Sequence, residues 1–257
     1  MHPMKVTFLG TGTSQGVPMI TCECEVCVSK DTRDQRLRVS LHLQTEGKSF
    51  IIDTGPDFRQ QVLRAGIKRV DAIVYTHEHK DHTAGMDDVR GFNYAQKSAI
   101  PLYAKKNVIE QLKREFAYAF DENKYPGVPE IDVFEINNSP FEIQGVKWNP
   151  IEVKHYYLDV FGYRIGDFTY ITDANAISEI ELEKIKGSQV LVINALRKTS
   201  HVSHFTLEEA LEIIDKIQPK KAYITHISHQ MGLHSDVQKE LPSNVFLAYD
   251  GLEIEIQ

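Results

Sequence analysis

Between positions 77 and 82 the chain reads His77-Glu78-His79-Lys80-Asp81-His82. Imidazole nitrogens and carboxylate oxygens are the ligands that hold borderline divalent ions. With 11 histidines in 257 residues, chance places His-x-His-x-Asp-His somewhere in such a chain about one time in a thousand. His77 and His79, two apart in an extended segment, point to one side, while Asp81 and His82 turn away as the next helix begins. One loop can therefore serve two ions. Four side chains do not complete two coordination shells, so the pattern demands further His or Asp on later segments, one able to bridge. His155, Asp173 and His226 meet that demand. Two ions held this way would lower the pKa of a shared water and neutralise charge on an anionic ester, which is hydrolytic chemistry.

A second cluster, Cys22, Cys24 and Cys27, falls within six positions. Neighbours this close do not easily adopt disulfide geometry, and three thiolates want a fourth ligand to close a tetrahedral zinc. Such a closed site contributes folding energy rather than turnover. Asp53 reads either as an acceptor orienting the metal loop or as a plain turn with Thr54 and Gly55. His201 and His204 share one loop, and Arg197 is a candidate to meet a substrate phosphate.

These side chains need elements to hold them. Strand-like runs cover Val6-Leu9, Val39-Leu43, Phe50-Asp53, Ala72-Thr76, Val146-Val153, Val160-Ile165, Phe168-Thr172, Val190-Asn194, Ala222-Thr225 and Val245-Ala248, enough for two sheets. Helical spacing joins Val108, Ile109, Leu112, Phe116 and Phe120, and also Leu207, Leu211, Ile214 and Ile217. Thr206 with Glu209 predicts a capping box, so His204 sits just before a helix, whose rigid start would fix its direction; Pro219 marks that helix's end. Pro56 and Gly66 bracket another helix, with Pro56 in its first turn. Three strands run into His77, Asp173 and His226, and α/β sheets place ligands at that carboxyl edge. Gly10-x-Gly12 follows the first strand, but its third glycine is one residue late for a dinucleotide fingerprint, and no clear βαβ unit follows.

Composition bounds the rest. At 42% hydrophobic with no linker-like stretch, residues 1–257 are expected to form one domain. The formal charge of -7 disfavours long nucleic acid as a partner. Met1 to Gly10 lacks the pattern of a secretory leader and no run approaches 18 apolar residues, so the expectation is a cytoplasmic protein with no membrane partner.

The His77–His82 motif with a later His, Asp and His resembles the metallo-β-lactamase superfamily, and the resemblance spans nearly the whole chain. Gly10-Thr11-Gly12-Thr13-Ser14-Gln15-Gly16-Val17-Pro18, the Cys22–Cys27 segment, Asp53-Thr54-Gly55-Pro56-Asp57-Phe58-Arg59 and Thr225-His226-Ile227-Ser228-His229 look like its PhnP-type branch, typified by the cyclic phosphodiesterase of phosphonate breakdown. The resemblance implies an αββα sandwich of two mixed sheets with helices on the outer faces. It implies that His77, His79 and His155 hold one divalent ion (zinc or manganese), that Asp81, His82 and His226 hold a second, and that Asp173 bridges. It implies His229 as fourth ligand of the structural zinc, with His234 competing, and His204 as the group that protonates the leaving oxygen. Asp81 and His204 are the residues on which turnover would rest. The implied substrates are small cyclic phosphodiesters such as ribose 1,2-cyclic phosphate or 2′,3′-cyclic nucleotides, and the implied assembly is a homodimer.

Other functions fit parts of the pattern. A tRNase Z-like RNA endonuclease shares the metal loop, but this chain has no Gly/Pro-rich basic insertion to hold tRNA. A thioester or lactone hydrolase would use the same centre on a carbonyl. PqqB-like non-catalytic pathway proteins carry the CxCxxC cluster yet generally depart from the full metal loop, every ligand of which is retained here.

Overall fold

The computed structural model of the chain describes residues 3–257; Met1 and His2, part of the N-terminal stretch and of the 1–257 span discussed above, lie outside it. Fifteen strands among the described residues form two sheets. The first contains β1 (Met4–Gly10), β2 (Ser40–Thr45), β3 (Lys48–Ile52), β4 (Ala72–Val74), β5 (Ile100–Ala104), β6 (Ile131–Glu135) and β15 (Glu253–Ile256), in the order β15-β1-β2-β3-β4-β5-β6. The second contains β7 (Phe141–Ile143), β8 (Val146–His155), β9 (Leu158–Ile165), β10 (Phe168–Tyr170), β11 (Ala176–Ile177), β12 (Val190–Asn194), β13 (Lys221–Thr225) and β14 (Val245–Leu247), in the order β11-β8-β9-β10-β12-β13-β14, with β7 paired to β8. Both sheets mix parallel and antiparallel neighbours.

The layering follows from which side chains each face buries. Phe8, Phe50, Trp148, Phe161, Tyr163 and Phe168 meet between the sheets, where Trp148 stands edge-on to Phe50 at 5.5 Å. The outer face of the first sheet is covered by helices α1 (Phe58–Ala65), α3 (Arg90–Gln96) and α4 (Lys106–Glu115), which bury Phe58, Phe92 and Val108 against Ile51 and Ile73. The outer face of the second is covered by α6 (Glu179–Ile185), α7 (Leu207–Ile217) and α8 (His234–Glu240), through Leu182, Ile213 and Val237. The short helices α2 (Lys80–Thr83) and α5 (Ala117–Phe120) complete the set. This is the αββα sandwich of two mixed sheets that the resemblance implied. No helix among the described residues is long and apolar enough to cross a membrane.

Each of the ten strand-like runs overlaps a strand. The capping box also forms, with Glu209 N donating to Thr206 Oγ1 and Thr206 N donating to Glu209 Oε2. Other expectations are corrected. Pro56 lies before α1 rather than in its first turn; Asp57 is the N-cap residue, and Gly66 ends the helix in left-handed conformation as expected. Helix α7 ends at Ile217, with Gln218 as its left-handed cap directly before Pro219, as expected. The apolar face from Val108 to Phe120 is split between α4 and α5, because Phe116 leaves helical geometry. Strands β5, β6, β7, β11 and β15 went unread. Of these, β6, β11 and β15 lie at sheet edges and β7 pairs with β8 off the main path, and such strands are stabilised by the neighbour they pair with rather than by their own composition; β5 is internal, with Pro101 at its second position.

Candidate metal centre

Seven ligand-type side chains converge where both sheets present their strand ends. His77, His79, Asp81 and His82 lie on the loop and α2 that follow β4; His155 is the last residue of β8; Asp173 follows β10; His226 follows β13. Three of the connections bend sharply: Asp53, Asp173 and His226 hold φ of 63°, 57° and 56°. Left-handed backbone is uncommon outside glycine, though Asp and His adopt it more readily than most residues, and it persists where surrounding contacts over-determine it. Close approach matters too. A Cβ on Gly55 would stand 2.1 Å from Asp81 O, so only glycine lets the turn after β3 lie against the metal loop, where Thr54 N donates to His82 O at 2.7 Å.

The ligand atoms form two sets, His77-His79-His155-Asp173 and Asp81-His82-Asp173-His226, each gathered within 4.8 Å. Asp173 belongs to both. Its Oδ2 lies 3.8 Å from His77 Nε2, 3.9 Å from His155 Nε2 and 3.3 Å from His226 Nε2, and its Oδ1 lies 3.3 Å from His82 Nε2. Asp81 Oδ2 is 3.3 Å from His82 Nε2 and 3.7 Å from His226 Nε2. Ligand atoms roughly 2.0–2.2 Å from one tetrahedral ion stand about 3.3–3.6 Å apart, so this spacing fits shared cations better than direct hydrogen bonds. Buried His82 Nε2 and both ring nitrogens of His226 indeed lack hydrogen-bond partners.

Tautomers are set from behind. His82 Nδ1–H donates to Asp53 Oδ2 at 2.8 Å, and His155 Nδ1–H donates to Ser203 O at 2.8 Å. Thr76 Oγ1 donates to Asp53 Oδ2 and lies 3.0 Å from His77 Nδ1, from which it can accept. In each case the Nε2 lone pair is left for the centre. Asp53, fully buried, also accepts from Thr76 N at 2.8 Å. It therefore does more than shape a turn. Replacing it with asparagine is expected to weaken metal binding or turnover about 10–100-fold, measured by competition with a chelator. Wild-type metal affinity in that variant would reduce Asp53 to a turn residue.

The charge balance also calls for cations. Burial alone would raise the carboxyl of Asp173, but attraction to His226 and His82 outweighs it and holds the group well below the usual range. The same contest lowers Asp81, with burial opposed by His82. Burial would lower His82, yet Asp173, Asp81 and Asp53 raise it well above an ordinary histidine. Burial, reinforced by His82, lowers His77. Three carboxylates thus surround one imidazole, a surplus of negative charge that bound cations would offset.

At the second cluster His229 Nδ1 lies 3.3 Å from both Cys22 Sγ and Cys24 Sγ, and all four side chains bring a ligand atom within 4.8 Å. The hydrogen bond from His229 lowers the Cys24 thiol to about 6, while burial pushes Cys27 up to about 11. The donor set suits a tetrahedral zinc. His234 is elsewhere: its Nδ1 meets Arg36 Nη2 at 3.1 Å and its backbone N donates to Asp34 Oδ1. The structure thus separates the two histidines that the sequence left competing.

The loop between β12 and α7 is closed at its base by Leu196 N to Phe205 O and Leu207 N to Arg197 O. His204 is buried there, its ring 4.6 Å from that of His226 at 22° and its unpartnered Nδ1 4.0 Å from Asp173 Oδ2. Burial, together with His226, lowers its pKa to about 2. His201 is half-buried, with Nδ1 accepting from Ser203 N at 3.3 Å. The guanidinium of Arg197, the expected phosphate contact, is half-buried and donates to Thr199 O, Ser200 O and Gln230 Oε1, so its donors brace its own loop. The glycine run near the N-terminus lines up beside the His226 strand end, where Gly12 bridges to both Arg38 and Ile227. Sequence reasoning missed Thr76, Ser203 and Asn194; the last clamps Ala174, next to Asp173, through N to Oδ1 and Nδ2 to O. Only the threonine's place between Asp53 and the metal loop carried a signal.

Comparison with known proteins gives a family context. A family model described as a beta-lactamase superfamily domain matches residues 48–227. A solved structure described as a new diphosphatase from the PhnP family is 40% identical, covers 100% of this chain and 98% of its own, and superposes with a TM-score of 0.94. An octanoyltransferase of Porphyromonas gingivalis is 40% identical over 253 residues, 97% of this chain but 51% of that protein. A ribonuclease Z of Bacillus thuringiensis is 26% identical over 63% of this chain and 49% of its own length. The chain spans about half the length of these curated relatives.

Proposed function

The chain belongs to the metallo-β-lactamase superfamily, in its PhnP-like branch, and from that premise we propose that it is a metal-dependent hydrolase of small phosphodiesters, cyclic phosphates foremost. The observation that carries the reading is the meeting of two ligand sets on Asp173. In the proposal His77, His79 and His155 hold one divalent ion, zinc or manganese, Asp81, His82 and His226 hold another, and Asp173 serves both. Cys22, Cys24, Cys27 and His229 hold a structural zinc. Bound at the centre, the two ions supply Lewis acidity, bringing a water's pKa toward neutrality and drawing in an anionic ester.

The chain's own residues do the rest. Asp53 and Thr76 fix His82 and His77, and Ser203 O fixes His155, so the ligand positions are set before substrate arrives. Burial holds the pKa of the His204 imidazole low, and an anionic phosphate beside it would favour the charged ring. From that state it would protonate the departing alkoxide. Long nucleic acid fits poorly with the charge of -7, which weighs against a ribonuclease reading.

A second reading, diphosphate hydrolysis, is favoured by one observation: the 40% identical solved relative is described as a diphosphatase. The octanoyltransferase relative is twice as long as the matched segment, so that name gives no activity to this half. Leaving groups separate the readings, because phosphate departs without a proton and an alkoxide does not. Against a panel of cyclic phosphates, linear dialkyl and aryl diesters, diphosphates, thioesters and lactones, the metal-loaded protein should cleave cyclic phosphates best. His204→Ala should lower turnover of alkyl esters about 10²–10⁴-fold and that of activated aryl esters far less. Equal losses would remove His204 from the acid role. Turnover confined to carbonyl substrates would overturn the proposal.

A further inference from the structure

Beyond the ligand His155 the chain makes the tightest turn available to a hairpin. His155 pairs with Leu158, so Tyr156 and Tyr157 alone connect β8 to β9. Two-residue turns need left-handed backbone and normally take Asn, Asp or Gly there. Here Tyr156 occupies the left-handed position, at φ 57°. Both rings are exposed, Tyr156 by 58% and Tyr157 by 76%, and they meet edge-on with centroids 5.1 Å apart. A bulky aromatic residue held in an unfavourable backbone conformation and turned to solvent adds nothing to the core, and strain of this kind collects at ligand-binding sites.

The turn is fastened to the rest of the centre. Asn175, two residues after Asp173, accepts from Tyr156 N through Oδ1 at 2.8 Å and donates through Nδ2 to Val202 O at 3.3 Å. Its backbone N donates to Lys154 O at 2.8 Å. One side chain therefore ties together the His155 turn, the Asp173 segment and the loop carrying His201 and His204. Val202 on that loop is itself 62% exposed. The turn and the loop tied to it by Asn175 thus present two tyrosine rings and a valine to solvent beside the ligands His155 and Asp173.

We infer that Tyr156 and Tyr157 form a stacking platform that selects phosphate esters bearing a nucleobase over base-free sugar phosphates. The inference rests on the proposed phosphoester chemistry for the position of the phosphate, which the metal centre would hold while the base lies over the turn. Aromatic stacking is tolerant of base identity, so the platform prefers nucleotides without choosing strictly among them. Asn175 is the positioning residue for the turn.

Calorimetric titration of the metal-loaded protein with adenosine monophosphate and with ribose 5-phosphate tests this directly. The wild type should bind the nucleotide at least about 10-fold more tightly. Tyr157→Ala should lose most of that preference. Tyr156→Asn, which removes the ring while keeping a residue suited to left-handed backbone, should lose part of it. Tyr157→Phe should retain it, since stacking needs the ring and not the hydroxyl. Equal affinity of the wild type for both ligands, or full preference in the ring-deleted variants, would overturn the inference. A protein that prefers the nucleotide in a ring-dependent way yet hydrolyses no phosphoester would sustain the platform and overturn the proposed reaction.

Discussion

Asp173→Ala is expected to lose about 10³-fold or more in kcat/KM and to carry fewer divalent ions at the His/Asp centre than the wild type. Asp173 is the one side chain common to both ligand sets, 2% exposed, with four imidazole Nε2 atoms between 3.3 and 3.9 Å from its carboxylate. Removing it deletes the carboxylate that four imidazoles face and leaves His77 and His155 without the acidic partner they have in the wild type, while Asp81 still stands beside His82 and His226. Lewis-acid assistance is worth several kcal/mol of transition-state stabilisation, and each 1.4 kcal/mol is tenfold in rate. Asp173→Asn, of the same shape without the charge, should fall between the two. Metal stoichiometry by elemental analysis, with circular dichroism to confirm the fold, reads the effect separately from unfolding. A folded Asp173→Ala protein with full metal content and wild-type turnover would show that the two sets do not share this residue.

His229→Ala should lower the thermal midpoint by about 10 °C and abolish zinc binding at the proposed Cys22-Cys24-Cys27-His229 site. A closed Cys₃His site adds folding energy, and each kcal/mol lost shifts the midpoint roughly 2–4 °C in a chain of this size. The effect should reach the centre as well. His229 lies three residues beyond His226, and Ser228 Oγ donates to Leu196 O at 2.9 Å, so the ligand-bearing segment is held between the cysteine cluster and the loop that follows β12. Turnover should fall with zinc content. His234→Ala supplies the contrast: His234 is held by Arg36 and Asp34, so its loss should spare the zinc. Zinc retained in His229→Ala and lost in His234→Ala would reverse the assignment.

The seven ligand-type residues and the cysteine cluster were legible in the sequence because ligand chemistry restricts residue type. His, Cys and the carboxylates supply nearly all ligands at such centres, and His77–His82 concentrates four His or Asp residues at a spacing that chance seldom produces. The strands that deliver Asp173 and His226 were legible for a related reason: Phe168–Tyr170 and Lys221–Thr225 flank the fully buried Val190–Asn194 in one sheet, and buried strands carry short runs of apolar and β-favouring residues. The helix behind His204 was announced by its capping box, a purely local signal.

What needed the folded chain was whatever depends on partners distant in sequence. Edge strands such as β6 and β15 exist because a neighbour completes their hydrogen bonds. Arg197 carries the charge of a phosphate ligand, yet three acceptors on its own loop and on Gln230 claim it, and residue type does not reveal a competition for donors. His229 and His234 are the same side chain five positions apart; the register of one turn, with a thiol pair on one side and a buried arginine on the other, separates them. Composition and spacing determined which atoms could bind a cation, because that is a property of single side chains. Which of those atoms share an oxygen, and which tyrosines stand exposed beyond them, was decided by packing, because distance between residues far apart in the chain exists only after it folds.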